Sequence, residues 1–146
     1  MILNQDFKEF IKLLNDHDVS YLVVGGYAVA FHGYPRYTKD IDLWIQAKKQ
    51  NIEKLLNALK KFGFESLDLK LEDFLEADNV IQLGYPPNRI DLLTNLAGLD
   101  FEDCYPSKVE VVIEDVKVNF IDLENLKINK KSTGRHQDLA DLENLE

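Results

Sequence analysis

The sequence has 146 residues, of which 45% are hydrophobic, so it suits one domain with a single core. Its formal net charge of −9, from 26 acidic and 17 basic residues, argues against broad binding of nucleic acid through a basic face. One cysteine excludes an intrachain disulfide, and no signal-peptide or membrane-span pattern is present, so we expect a single cytoplasmic domain over residues 1–146 that does not contact a membrane.

The first half of the chain alternates helical and strand patterns. Helices are indicated where apolar residues recur at a spacing of three or four, and strands where they alternate with polar residues or form a short continuous run. The predicted elements are a helix over residues 6–15, a strand over 21–24, a short helix over 26–31, a strand over 39–45, a helix over 52–62 and a shorter helix over 71–77.

The second half predicts more strands, followed by two helices. Strands over residues 80–83 and 89–93 are joined by a proline-rich loop, and two valine-rich runs over 108–113 and 116–121 are typical of a hairpin. Helices are expected over 122–130, with Asp122 as N-cap, and over 135–145. This order predicts an α/β (α+β) domain in which helices flank a mixed β-sheet.

Acidic residues within two strand patterns suggest a metal site. Asp40 and Asp42 alternate with apolar residues, so both carboxylates should project from one face of a strand, about 7 Å apart along it. Like charges held this close cost free energy, and a divalent cation is the usual way to neutralise them. If the strand that carries Asp91 is a neighbour, three carboxylates converge on one or two Mg²⁺ ions. The alternative is that the acids face solvent from edge strands.

The glycine pair Gly25-Gly26 stands where a strand hands over to a short helix. Glycine lets the backbone come close to a ligand, and the free N–H groups at the start of a helix favour an anion such as a triphosphate. A glycine pair alone is more often just a tight turn, so the spacing to Asp40 and Asp42 carries this prediction.

Together these motifs resemble the nucleotidyltransferase superfamily with the DNA polymerase beta-like fold. Its signature is Gly-Gly or Gly-Ser, a short gap, and Asp-x-Asp or Asp-x-Glu, followed later by an acid in a strand. A fuller pattern is similar to one branch, the AbiEii-type toxin nucleotidyltransferases and related uncharacterised proteins. The residues that carry this closer resemblance are Gly25-Gly26, His32-Gly33, Arg36, Thr38 and Asp40-Ile41-Asp42.

The C-terminal sequence is similar to the same branch. Residues 130–142 resemble its Lys-x-x-x-Gly-Arg-x-Lys-Asp-x-x-Asp-Leu helix pair, with a glutamine where the branch often has its second lysine. The resemblance implies that Lys130, Arg135 and Asp138 belong to a nucleotide site. Considered by itself, Arg135 could equally be a helix-start side chain paired with Asp138 or Asp141.

The resemblance implies an enzyme that binds a nucleoside triphosphate such as ATP with Mg²⁺, two ions being expected, and transfers the nucleoside monophosphate to a hydroxyl group. Asp40, Asp42 and Asp91 would be catalytic and metal-binding, and Asp91 would bind the second metal or accept the acceptor's proton. The nucleotide-binding residues would be Gly25, Gly26, Arg36, Thr38, Lys130, Arg135 and Asp138.

The acceptor and the biological role stay open at the level of sequence. The acceptor could be tRNA, a protein or a small molecule, and a toxin–antitoxin role is one possibility. We expect a homodimer or an antitoxin-like partner, because larger relatives carry an additional helical domain. The alternative function is a module that binds a nucleotide or a partner without turnover.

Overall fold

The computed structural model describes residues 3–33, 39–63, 69–76, 80–84 and 89–145. The helices are α1 (Gln5–Asp16), α2 (Gly25–Phe31), α3 (Lys49–Phe62), α4 (Leu71–Leu75), α5 (Phe101–Cys104), α6 (Leu123–Thr133) and α7 (His136–Leu145). The strands are β1 (Tyr21–Val24), β2 (Ile41–Ile45), β3 (Val80–Leu83), β4 (Ile90–Leu93), β5 (Val109–Ile113) and β6 (Val116–Phe120). Within these ranges no helix is long and apolar enough to cross a lipid bilayer.

The strands form one six-stranded sheet in the order β3-β4-β2-β1-β6-β5. The pairs β2–β4 and β1–β6 are parallel, whereas β1–β2, β3–β4 and β5–β6 are antiparallel. The predicted α/β class with a mixed sheet flanked by helices is therefore confirmed. The sheet places β4, β2 and β1 side by side near its centre.

The central strands are held between packed side chains on both faces. All four residues of β1 are buried, as its continuous apolar run predicts. On one face α1 packs against α3, where the rings of Phe10 and Phe62 meet edge to face with centroids 5.1 Å apart. Trp44, on β2, is 1% exposed and packs edge to face on Phe101 of α5. Such packing fixes the position of β2 relative to its neighbours.

The β5–β6 hairpin is confirmed, and it turns without glycine. Ile113 pairs with Val116, so only Glu114 and Asp115 form the connection, with φ of 49° and 70°. This left-handed conformation at both positions matches the twist of a tight hairpin, and aspartate is among the residues that adopt it most readily.

Several helix boundaries differ from the predictions, among them the start of α3, which lies at Lys49 and not at residue 52. α6 begins after Asp122, the predicted N-cap, but continues through Thr133, where Gly134 with φ of 65° ends it. α4 ends at Leu75, before the predicted end at residue 77, and residue 77 itself lies outside the described ranges. α5 was not predicted, because four residues are too few to show helical periodicity.

Candidate active site

Gly25 brings the start of α2 into contact with an acid on β2. Val24 pairs with Asp42 across β1 and β2, and Gly25 follows with φ of 66°. A Cβ atom at this glycine would lie 3.0 Å from Cγ of Asp42 and closer still to its Oδ2. Glycine is therefore required here for its conformation and for its missing side chain, while Gly26 is buried within α2.

Asp42 and Asp91 lie directly opposite each other on the parallel strands β2 and β4. Asp42 is partly buried and Asp91 is 7% exposed. Burial first, then the charge of Asp91 and a hydrogen bond with it, raise the pKa of Asp42 from 3.8 to about 7. At neutral pH in the absence of metal, Asp42 therefore carries a proton for part of the time.

Asp40 lies just before β2 and pairs with a cation that sequence reasoning overlooked. Nη2 of Arg89 is 2.9 Å from Oδ2 of Asp40, and Nε of the same guanidinium is 2.9 Å from Oδ1 of Asp91. A second contact to Asp91, from Nη2 to Oδ2, measures 3.2 Å. Arg89 thus bridges two of the three predicted metal ligands. Its position two residues before Asp91 in an extended strand could have revealed it, because such residues share a face.

An ionic cluster joins α6 to α7 beside the acids. Nζ of Lys130 lies 3.1 Å from Oδ1 of Asp138 and 3.2 Å from Oδ2 of Asp141, and all three side chains are at most 5% exposed. Removal of one member would leave buried charges unpaired, which typically costs about 3–5 kcal/mol. Lys130 therefore holds the helix pair together. Asp141 was missed as a site residue, although it follows Asp138 by three residues on the same helix face.

Asp138 is also the partner of two residues at the end of α6. Its Oδ2 lies 2.6 Å from Nε of Arg135 and accepts a hydrogen bond of 2.6 Å from Oγ1 of Thr133. Burial alone would raise the pKa of Asp138, but the hydrogen bonds from Arg135, Thr133 and Lys130 outweigh it and lower that pKa well below its usual value. Arg135 pairs with Asp138, as one reading of the sequence allowed, yet its side chain is 75% exposed.

A cleft of ≈ 550 Å³ is lined both by residues of the acidic centre and by residues of the ionic cluster. Its volume lies within the range of sites that bind small molecules and cofactors. From the predicted set, Gly25, Asp42, Lys130 and Arg135 line it. The other lining residues, which sequence reasoning did not identify, are Val24, Leu93, Asn95, Leu96, Ala97, Asn129 and Thr133. Arg36 and Thr38 lie outside the described residues.

The acidic residues fit a divalent cation in their chemistry. Carboxylate oxygens are the donors that Mg²⁺ prefers, and Oδ1 of Asp40 is buried with no hydrogen-bond partner in the structure. Over the described ranges, however, no three His, Cys, Asp or Glu side chains are grouped closely enough to hold a metal ion. Here the guanidinium of Arg89 contacts Asp40 and Asp91 instead.

The fold is similar to those of known nucleotidyltransferases. A lincosamide antibiotic adenylyltransferase, LnuA, solved with lincomycin bound, superposes with a TM-score of 0.57 at 16% identity, and the match covers 99% of this chain and 96% of that one. An antigenic nucleotidyltransferase-like protein from Paracoccidioides brasiliensis gives a TM-score of 0.55 at 16% identity, with 99% and 78% covered. No curated protein sequence matches the chain.

These likenesses define the class, a domain with the nucleotidyltransferase fold. Within it, the chain belongs to the family described as nucleotidyltransferase of unknown function (DUF6036), whose model matches residues 2–146. The predicted relationship to nucleotidyltransferases is thereby confirmed, whereas the closer resemblance to the AbiEii-type branch stays a prediction.

Replacement of Gly25 tests the contact with Asp42. We expect Gly25→Ala to lower the free energy of unfolding by more than the roughly 1–3 kcal/mol of backbone strain, because the new methyl group also displaces the carboxylate. Urea unfolding followed by the fluorescence of Trp44, the single and buried tryptophan, measures this. Gly134→Ala is the matched control, since φ is 65° there and the nearest atom to an added Cβ is 4.0 Å away. Equal losses in both variants would contradict the contact.

The raised pKa of Asp42 predicts a pH dependence of stability in metal-free buffer. An acid whose pKa is higher in the folded state destabilises the fold once it ionises, so the cost appears above pH 3.8 and is complete above about pH 7. Asp42→Asn should therefore be more stable than wild type at pH 8, by up to about 4 kcal/mol at about 1.4 kcal/mol for each pH unit between 3.8 and about 7, and this difference should disappear near pH 4.

Urea unfolding between pH 4 and pH 8.5 in the presence of a chelator measures this difference. Asp16→Asn, which changes an exposed carboxylate at the end of α1, serves as the control and should follow the wild-type profile. An Asp42→Asn protein that is less stable than wild type at pH 8 would show that the carboxylate stabilises the metal-free fold.

Proposed function

We propose that the protein is an Mg²⁺-dependent nucleotidyltransferase that moves a nucleoside monophosphate from a nucleoside triphosphate to a hydroxyl group. One observation carries this proposal: the register of β2 and β4 sets Asp42 opposite Asp91, and Asp42 lines a cleft that Lys130 and Arg135 also line. An acid for a metal, Asp42, and an exposed cation for phosphates, Arg135, then line one space. Membership of a nucleotidyltransferase family supports the same reaction.

In this mechanism the chain's own residues orient the reactants and move a proton. The oxygen of the acceptor forms a bond to the α-phosphorus, the bond from that phosphorus to the bridging oxygen breaks, and pyrophosphate leaves with the electron pair. Asp91 accepts the proton of the acceptor hydroxyl and passes it to solvent. Asp40 and Asp42, together with one carboxylate oxygen of Asp91, would hold Mg²⁺, and the bound ion would stabilise charge on the attacking and leaving oxygens.

Lys130 of α6 and Arg135, in the turn between α6 and α7, have separate tasks. Both carboxylate partners of Lys130 are buried with it, so its charge is largely neutralised and its main task is to hold the cleft wall. Arg135 contacts Asp138 through Nε and Nη2, and most of its guanidinium is exposed at the cleft. We assign the contact with the triphosphate to Arg135.

A small hydroxyl compound is the acceptor that we favour over tRNA or a protein. The net charge of −9 disfavours a polyanion such as tRNA. LnuA, with which the chain shares its fold, is an adenylyltransferase of an antibiotic, a small molecule. A cytoplasmic toxin of the AbiEii type, with an antitoxin-like partner or a homodimer, is a narrower form of the same proposal.

A second candidate function is a nucleotide-binding or partner-binding module without turnover. The observation that favours it is Arg89, because a guanidinium on Asp40 and Asp91 neutralises acids that a catalytic centre needs for metal. The two functions differ in whether a nucleotide is transferred.

Transfer of an α-phosphate label tests the proposed function. The protein is incubated with each labelled nucleoside triphosphate, Mg²⁺, and separate pools of small hydroxyl compounds, tRNA and protein. We expect transfer by wild type and by the Asp16→Asn control, and a loss of at least about 100-fold in Asp42→Asn, because a metal ligand is removed. Nucleotide binding that Asp42→Asn leaves unchanged, with no transfer to any pool, would establish the binding module instead.

A further inference from the structure

Arg89 is attached to the acidic centre by its backbone as well as by its side chain. Its carbonyl oxygen accepts a hydrogen bond of 3.2 Å from the N–H of Ile41, the first residue of β2. This bond keeps Arg89 beside the start of both acid-bearing strands. Its side chain is 27% exposed, so the guanidinium lies between the acids and solvent.

The guanidinium occupies carboxylate oxygens that a metal ion would need. It contacts Oδ2 of Asp40 and both oxygens of Asp91 at 2.9 to 3.2 Å. Oδ1 of Asp40 is buried and makes no hydrogen bond, so Arg89 satisfies this acid only in part. A planar guanidinium binds carboxylates through directional hydrogen bonds, whereas a small divalent cation concentrates twice the charge at one point.

We propose that Arg89 is the internal counter-ion of the metal-free centre, and that a divalent cation binds by displacing its guanidinium from Asp40 and Asp91. This inference rests on the proposed function and adds a residue that regulates metal binding at the same site. Arg89 lowers the affinity for metal alone, because binding first breaks two ion pairs. Its freed positive charge then favours a triphosphate, so metal and nucleotide bind together better than either does separately.

The opposite reading is that Arg89 is a fixed part of the metal-bound centre that orients Asp40 and Asp91. The two readings predict changes of opposite sign when the charge is removed. If Arg89 competes with the metal, its loss strengthens metal binding. If Arg89 orients the ligands, its loss weakens metal binding.

Titration of Mn²⁺ into nucleotide-free protein distinguishes the readings, with free Mn²⁺ measured by electron paramagnetic resonance. We expect Arg89→Met to lower the Kd for Mn²⁺ on the order of tenfold, since one positive charge leaves the site. Arg89→Lys should fall between Arg89→Met and wild type, because a lysine cannot bridge both acids with one planar group. Lys108→Met is the matched control: Lys108 pairs with Glu110 outside the cleft, and its loss should leave the Kd unchanged.

Arg89→Met that binds Mn²⁺ equally or more weakly overturns the inference and leaves the transfer reaction standing. If Arg89→Met does not fold, as judged by Trp44 fluorescence, Arg89→Lys decides alone, and a Kd not below that of wild type overturns the inference. If none of the proteins binds Mn²⁺, the inference also falls, and the label-transfer assay then shows whether the proposed function falls with it.

Discussion

Repulsion among three carboxylates is the constraint on which the site depends. Asp42 and Asp91 are adjacent because β2 and β4 pair in register, and Asp40 lies just before β2. The central strands cannot move apart to relieve the repulsion without breaking the sheet and the packing on both of its faces. Two features offset the repulsion: the pKa of Asp42 is raised to about 7, chiefly by burial and by the charge of Asp91, and Arg89 pairs with the other two acids. Both can be undone when another cation binds, because Asp42 can lose its proton and Arg89 can leave its ion pairs.

The end of α6 and the turn that follows it contribute the basic residues that line the cleft. Ion pairs hold this region together. Lys130 of α6 binds Asp138 and Asp141 of α7 across the turn at Gly134, and all three residues are buried. Such a cluster adds less stability than apolar packing of the same volume would, but it fixes the angle between α6 and α7 and leaves Arg135 exposed at the cleft. Gly25 completes the arrangement, because only a residue without a side chain lets the start of α2 approach Asp42 so closely.

Local patterns in the sequence predicted the elements, and long-range pairing decided the site. Alternation of acids with apolar residues predicted β2, and Asp122 correctly marked the start of α6. The parallel pairing of β2 with β4 joins residues almost fifty positions apart in the sequence. Local patterns do not predict such a pairing, so the convergence of the three acids depended on the assumption that the two strands are neighbours. The cleft loop around Asn95 lacks any periodicity, and Lys130 finds its partners across a turn. Arg89 was the avoidable omission, because its spacing from Asp91 already placed both on one face.

Diffraction from crystals grown with Mn²⁺ and a non-hydrolysable nucleoside triphosphate analogue tests the central claim most directly. We expect anomalous peaks for Mn²⁺ at the carboxylates of Asp40, Asp42 and Asp91, phosphates in the cleft beside Arg135, and an Arg89 side chain that has left Asp40 and Asp91. Analogue bound in the cleft with Arg89 still bridging Asp40 and Asp91, and with no anomalous peak at these acids, would contradict it.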